Sequence, residues 1–267
     1  MGALVEGEQI LRLAIFLGVL GILMTAEFLW PRRRQTIERK KRWPQHLALV
    51  TLDLILARLV FPLSLAGFCI VVKQNDWGIF NMLDISFWPS FILSILALDL
   101  IIYTQHVIFH KLPFLWRLHR VHHTDTEFDV TTALRFHPAE ILLSMIVKFA
   151  VLIILGAPPE AALAFEIILN ATAMFNHGNI SIPMSIDRWL RHIIVTPDMH
   201  RVHHSVSQSE TNSNYGFSLS LWDRIFNTYL AQPEKGHEGM TVGLDIFRKT
   251  EDMRIDNLLL QPFKKED

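Results

Sequence analysis

Eleven of the thirteen histidines fall between His106 and His204, most of them at spacings that one helical face can present to a metal ion. His106 and His110 are four residues apart. His119, His122 and His123 belong to a His-Arg-Val-His-His pentapeptide, and the same pentapeptide recurs 81 residues later with His200, His203 and His204. Positions i, i+3 and i+4 of an α-helix project the same way, so each group offers two or three imidazoles side by side. Imidazole suits iron, zinc, copper and nickel. The single cysteine, Cys69, sits in an apolar run and makes no thiolate site. Histidines that merely fill a core or decorate a surface do not repeat a pentapeptide, so the pattern predicts a metal site.

The elements that must carry these histidines are membrane helices. Hydrophobic residues make up 51% of the 267, mean hydropathy is +0.28 and net charge is −1, a balance with no electrostatic footprint for nucleic acid. No cleavable signal peptide is expected, because the first residues lack a basic segment. The sequence predicts an all-α integral membrane bundle of about four to five hydrophobic helices, with a histidine-rich metal cap on the cytoplasmic side. It forms a single membrane domain over 1–267. Within it, 10–105 holds transmembrane helices around a basic loop at 31–45, and 106–230 holds the histidine region with a hydrophobic hairpin at 139–175. The polar tail, 231–267, is expected to carry no chemistry.

In chain order, a span from Ile10 to Trp30 is closed by Pro31. The cluster Arg32, Arg33, Arg34, Arg39, Lys40, Lys41 and Arg42 then reads as a cytoplasmic loop under the positive-inside rule. A second span from about Leu47 to Val72 is kinked by Pro62 and buries Asp53 or turns it, with Arg58, to the interface. A third span begins at about Phe87. Asp99, Tyr103, His106 and His110 share one stripe of it, so Asp99 either anchors an imidazole from behind or makes an interhelical hydrogen bond. Helices of 16 or 17 residues flank the breaker Gly156-Ala157-Pro158-Pro159 and either cross the membrane or re-enter. They return the chain to the side it left, bringing in His177. Glu166 shares a face with His177, so it lines the same interior or makes an ordinary buried contact. Asp198 is placed to cap the helix of the third group. The amphipathic run 212–229 is expected at the membrane interface.

At these residues the chain resembles the sterol desaturase and fatty acid hydroxylase superfamily of integral-membrane di-iron enzymes. The matching motifs are His106-x3-His110, His119-x2-His122-His123, Arg135-Phe136-His137-Pro138-Ala139-Glu140, His177-Gly178-Asn179 and Thr196-Pro197-Asp198-Met199-His200-x2-His203-His204. Asn214-Tyr215-Gly216 and Leu221-Trp222-Asp223-Arg224 are similar too, so the likeness runs from about Asp99 to Tyr229. It implies two iron ions held by His106, His110, His119, His122, His123, His177, His200, His203 and His204, with His137, Asp99, Asn179, Glu166 and Asp198 as further ligands or supports. His192 reads as structural, and His46 and His237 as surface residues. Nine or ten imidazoles exceed what one ion takes, so the count itself argues for two metals.

The implied reaction uses O2 as co-substrate to hydroxylate or desaturate an unactivated C–H position of a membrane lipid, a fatty acyl chain or sterol. Zinc can replace iron during purification. The chain has no Cys box and no Gly-rich dinucleotide fingerprint, so electrons come from a separate donor of the cytochrome b5, ferredoxin or rubredoxin kind. The membrane is a bacterial inner membrane or the endoplasmic reticulum. Nothing in the sequence specifies an oligomeric state. A membrane zinc hydrolase is the competing class, but the His-Glu-x-x-His run that would supply its base is absent. A metal-binding or transport protein would hold metal without consuming O2, and a bis-histidine haem protein would place its pairs near midspan.

Overall fold

The computed structural model describes the backbone of residues 2–265 and the side chains of residues 7–265. Among them the chain is helical, broken by three isolated β-bridges and by 3-10 turns. The long helices are α1 (Gly2–Leu29), α2 (Arg39–Val60), α3 (Leu65–Gln74), α5 (Phe87–Lys111), α7 (Pro138–Leu155) and α8 (Pro159–Asn176), with the short α4 (Ile79–Met82) between α3 and α5. The pieces of the cap are α6 (Pro113–His123), α9 (Met184–Leu190), α10 (Pro197–His203), α11 (Gln208–Thr211), α12 (Leu221–Ile225), α13 (Gly236–Gly239) and α14 (Ile255–Leu260). Among the described residues, four stretches are long and apolar enough to cross a membrane: Gly7–Leu29, Arg39–Met82, Phe87–Lys111 and Pro138–Leu155.

The second span is not one kinked helix. Pro62 has no N–H to give, Phe61 ahead of it leaves helical geometry at φ −120° and ψ 86°, and the chain restarts only at Ser64, whose Oγ accepts from Gly67 N at 3.0 Å. The breaker at 156–159 does form the predicted turn, with Gly156 left-handed at φ +72°. Gly78, at φ +91°, packs so tightly here that a Cβ on it would lie 2.1 Å from Gly156 N. The helix after this turn, α8, is central, lying against α1, α3 and α5. Its core is Leu65, Cys69, Leu98, Ile102, Leu152, Ala162 and Phe165. Glu166 does not face the histidines. It accepts from Arg12 of α1 at 3.0 Å and so ties the outermost helix to the centre, the pairing that a charge in an apolar bundle requires.

The C-terminal ends of α1, α5 and α8 and the N-terminal ends of α2 and α7 meet on one side, under the cap. Glu27, near the end of α1, accepts from the backbone N–H groups of Val130 and Asn179, both at 2.7 Å. At the start of α2, Arg42 is wholly buried and donates to Asp125 at 2.9 and 2.6 Å and to Asp129 at 2.7 Å. Arg135 adds a second cation 3.4 Å from Asp125, and His46 donates to or accepts from Thr131 at 3.0 Å. Burial alone would raise the Asp125 carboxyl, but the two arginines and His46 hold it well below the usual range. This network fixes the 124–135 loop beneath α6, which carries the first pentapeptide.

Several sequence expectations change here. His46 is 1% exposed and His237 3% exposed, so neither is a surface residue. Of the basic cluster, Arg32 pairs with Asp198 and Glu238, Arg33 donates to Met240 O, Arg39 pairs with Glu27, and Arg42 is buried; only Arg34, Lys40 and Lys41 stay exposed. The tail is not idle. It returns across the cap, burying Leu258 against Leu49 and Val121 and presenting the carbonyls of Gln261 and Lys264 to Arg120 at 2.6 and 2.7 Å. Periodicity could not foresee this, because the partners of the tail are a few isolated apolar side chains and one buried cation from distant segments rather than a continuous apolar face.

Asp125→Ala would leave Arg42 and Arg135 buried without their shared counter-charge, a loss of about 3–5 kcal/mol. The expected result is a clear fall in the detergent melting temperature; an unchanged melt would show that the network does not hold the loop.

Candidate metal centre

The side chains of nine histidines meet in two adjoining groups. His106, His110, His119, His123 and His203 form one, and His122, His177, His200 and His204 the other; within each group the ligand nitrogens lie within 4.8 Å of one another. Every one of the nine is buried except the half-buried His110. They come from α5, α6, α10 and the end of α8. Pro113 starts α6 after an extended Leu112, turning the chain back so that His119 and His123 face His106 and His110. In α10 the cap is Thr196, whose Oγ1 accepts from Met199 N at 3.3 Å, rather than Asp198.

The tautomers are fixed from outside. His106 donates Nδ1–H to Tyr215 O, His203 to Ser213 O, His177 to Ala173 O and His119 to a Glu140 carboxylate oxygen, each at 2.7 Å. In a neutral ring, the other nitrogen then carries a lone pair, and it points inward. His203 Nε2 faces His106 Nε2 at 3.0 Å, and His177 Nε2 faces His122 and His200 Nε2 at 3.1 and 3.2 Å. Between His203 and His106, whose outer nitrogens both carry their protons, no proton is available unless an imidazolium forms, which burial opposes; His122 and His200 have no outward partner, so either neutral ring can turn a proton towards His177. Burial pushes His119 down to about 3 and His177 to about 4, and it holds His122, His123, His200, His203 and His204 well below the ordinary imidazole value, with their histidine neighbours adding to the effect. Two nitrogens bound about 2.0–2.1 Å from one ion at ordinary angles are themselves about 2.8–3.4 Å apart. The observed spacings match that, so the residues fit metal ions held by imidazole.

Aromatic rings wall the pocket. Phe136 stacks on His122 at 4.4 Å, Trp116 lies 4.9 Å from His110, and Phe128 stacks on His177 at 5.5 Å. On the bundle side Phe217 lies 5.1 Å from His106 and 6.1 Å from His200, touching both groups, and it packs on the apolar core.

The other sequence candidates sit elsewhere. Asp99 accepts from Trp222 Nε1 at 2.8 Å and Leu219 N at 3.3 Å, so it is an interhelical anchor for the α12 segment rather than an imidazole support. That contact draws 219–222 about 10 Å below the level of His106 along α5. His137 caps α7, with Nδ1 accepting from Ala139 N at 3.1 Å, and its Nε2 meets Leu259 O. Asn179 bonds both backbone groups of Arg33. Asp198 pairs with Arg201, Arg32 and His237; burial would raise it, but these cations bring it below its ordinary value. His192 is exposed. Glu140 was the residue missed. Its signal was an acid in the first turn of an otherwise apolar helix, directly after His137-Pro138.

Comparison with known proteins gives a consistent picture. The profile of the fatty acid hydroxylase family matches residues 91–228, just over half the chain. The ornithine lipid hydroxylase OlsE of Rhizobium tropici is 29% identical over 157 residues, 55% of this chain and 46% of that one. The alkylglycerol monooxygenase of Xenopus tropicalis is 27% identical over 175 residues, 64% and 38%. The cholesterol 25-hydroxylase of Homo sapiens is 24% identical over 137 residues, 50% and 48%. The chain thus spans less than half the length of these relatives. No solved structure matches it significantly.

A pH dependence follows from the buried rings. In the unfolded chain they titrate near about 6.5, whereas the folded values lie far lower, so the folded state binds fewer protons. The stability they contribute is present above about pH 6.5 and is lost as pH falls towards about 4. The metal-free protein should therefore melt at progressively lower temperature between about pH 7.5 and 5; a flat profile would be incompatible with a neutral imidazole cluster.

Proposed function

The chain belongs to the fatty acid hydroxylase family, and on that footing we propose that it is an O2-dependent di-iron enzyme that hydroxylates an unactivated C–H bond of a membrane lipid. The observation that carries this reading is the pair of adjoining all-imidazole groups at the end of an apolar bundle. Iron bound there supplies the redox chemistry with O2 that no side chain possesses. The balance is R–H + O2 + two electrons + two protons giving R–OH and water. Hydroxylation is favoured over desaturation because the three relatives are named as hydroxylases or monooxygenases.

The work of the chain is placement. Histidines from four separate segments set the ligand geometry, and the outward Nδ1–H bonds keep each anchored ring facing inward. Phe128, Phe136 and Trp116 exclude water from the sides. Phe217, between the histidines and the bundle core, is where an acyl chain or a sterol ring rising through the apolar helices meets the centre. A lipid fits this approach, because the groups lie where the spans end and the α12 segment flanks α5 below them. The cap is assigned to the cytoplasmic face from the exposed Arg34, Lys40 and Lys41 at its edge. A separate electron donor docks on that face; with Arg32, Arg33, Arg39 and Arg42 engaged internally, Arg34, Lys40 and Lys41 are the side chains of the basic cluster that remain exposed for it.

Protein purified without air should contain two non-haem irons per chain and take up O2 only when a lipid substrate is present. Comparison of lipids from cells with and without the protein should reveal a species heavier by one oxygen. Stoichiometric zinc in fully active protein, with no O2 uptake, would overturn the reading. His203→Ala and His122→Ala should abolish activity and lower metal content while the protein remains inserted. His192→Ala should leave both nearly unchanged.

A further inference from the structure

The two groups are not built alike, and the difference lies behind the ligands. Of the five-histidine group, three rings are held by outward hydrogen bonds: His106 to Tyr215 O, His203 to Ser213 O and His119 to Glu140. Of the four-histidine group, only His177 is held in this way, by Ala173 O. The Nδ1 atoms of His122, His200 and His204 are buried and make no hydrogen bond among the described residues, and His204 Nε2 makes none either. Outward partners of this kind fix ring orientation and raise ligand basicity, and removing one typically weakens metal binding about 10–100-fold. The better-anchored group also has one more imidazole.

Resting on the two-metal reading above, we infer that the protein holds its two ions unequally: the five-histidine group fills first and empties last, and Glu140 is the positioning residue that sets much of the gap. Three of the four anchors are backbone carbonyls, which no side-chain substitution removes. Glu140 is the side-chain anchor among these four, so the difference is tunable at this position; the Asn212 side chain beside His110 adds to the same group. The second carboxylate oxygen of Glu140 has no hydrogen-bond partner among the described residues, so its bond to His119 is its only anchoring use. The four-histidine group depends instead on packing: His122 lies flat on Phe136, and His204 stacks on His123 at 4.5 Å. Packing limits where a ring sits but neither selects its tautomer nor adds to its basicity.

The test is stepwise removal of ferrous iron by EDTA from protein purified without air, with iron counted per chain after desalting. Unequal sites give a plateau at one iron per chain, with the two release steps separated by at least about tenfold in EDTA concentration. Glu140→Ala should shift the later step towards the earlier one by about 10–100-fold and leave the earlier step in place, and Glu140→Gln, which still accepts from His119, should restore part of the gap. A role in folding alone would move both steps together. Release of both irons in one step from the unmodified protein, or a Glu140→Ala shift confined to the earlier step, would overturn the inference. A protein that never holds more than one iron would instead refute the two-metal reading on which it rests. The plateau is read on the unmodified protein, so the test stands even if the variants fail to fold.

Discussion

Lone pairs repel, and here they have been gathered. His106 and His203 meet nitrogen to nitrogen at 3.0 Å with both outer N–H groups already given to carbonyls, and His177, anchored on Ala173 O, points its own lone pair at two further rings at 3.1 and 3.2 Å. Positive charge inside such a cluster, as protons or as metal, would relieve that repulsion. Burial disfavours protons, which leaves a metal ion as the charge that such a cluster is suited to accept. The structure around the rings serves to keep them converged despite that repulsion. The Arg42–Asp125–Arg135 network holds the loop beneath α6, Glu27 holds the turn after His177, and the tail closes over Arg120.

Each of the two pentapeptide repeats is split between the two histidine groups. His119 and His123 go to the five-histidine group and His122 to the other; His200 and His204 go to the four-histidine group and His203 crosses over. The exchange locks α6 to α10 through both centres at once. The intervening positions are equivalent as well. Val121 and Val202 are wholly buried, while Arg120 and Arg201, also wholly buried, reach outward, the first to tail carbonyls and Phe247, the second to Asp198, Gly178 O and Phe128.

The helical bundle and the nine histidines could be read from the sequence because each rests on a local rule: apolar length for the spans, spacing for the imidazoles, a proline or glycine for each break. What could not be read depends on long-range pairing. Asp99 lies on the same stripe as His106, yet its partner is Trp222, 123 positions away. Glu166 shares a face with His177, but Arg12 approaches that face first. His46 and His237 look isolated in the sequence and are buried because acids and hydroxyls from other segments cover them. Spacing tells which side chains share a face; it does not tell what the opposite element brings to that face. The division of each pentapeptide was hidden for the same reason, since a shared face does not oblige three rings to share an ion.

All four segments that deliver histidines do so at a helix C-terminus: the last turns of α5, α6 and α10 and the residue capping α8. A helix C-terminus carries partial negative charge and stabilises a nearby cation, typically by about 0.3–1 kcal/mol and by up to about 2 kcal/mol in favourable buried geometry. That field would also favour protonated histidine, so the two candidates for the cluster, protons and metal, compete for the same end charges. Burial decides between them. Holding His119 near about 3 rather than about 6.5 corresponds to roughly 5 kcal/mol against its imidazolium, more than one helix end returns. A divalent ion gains about twice the helix-end interaction and replaces lost water with several nitrogens at once. Converging helix C-termini in a water-poor pocket therefore suit a metal dication better than protons, and the histidines of this fold sit at such ends.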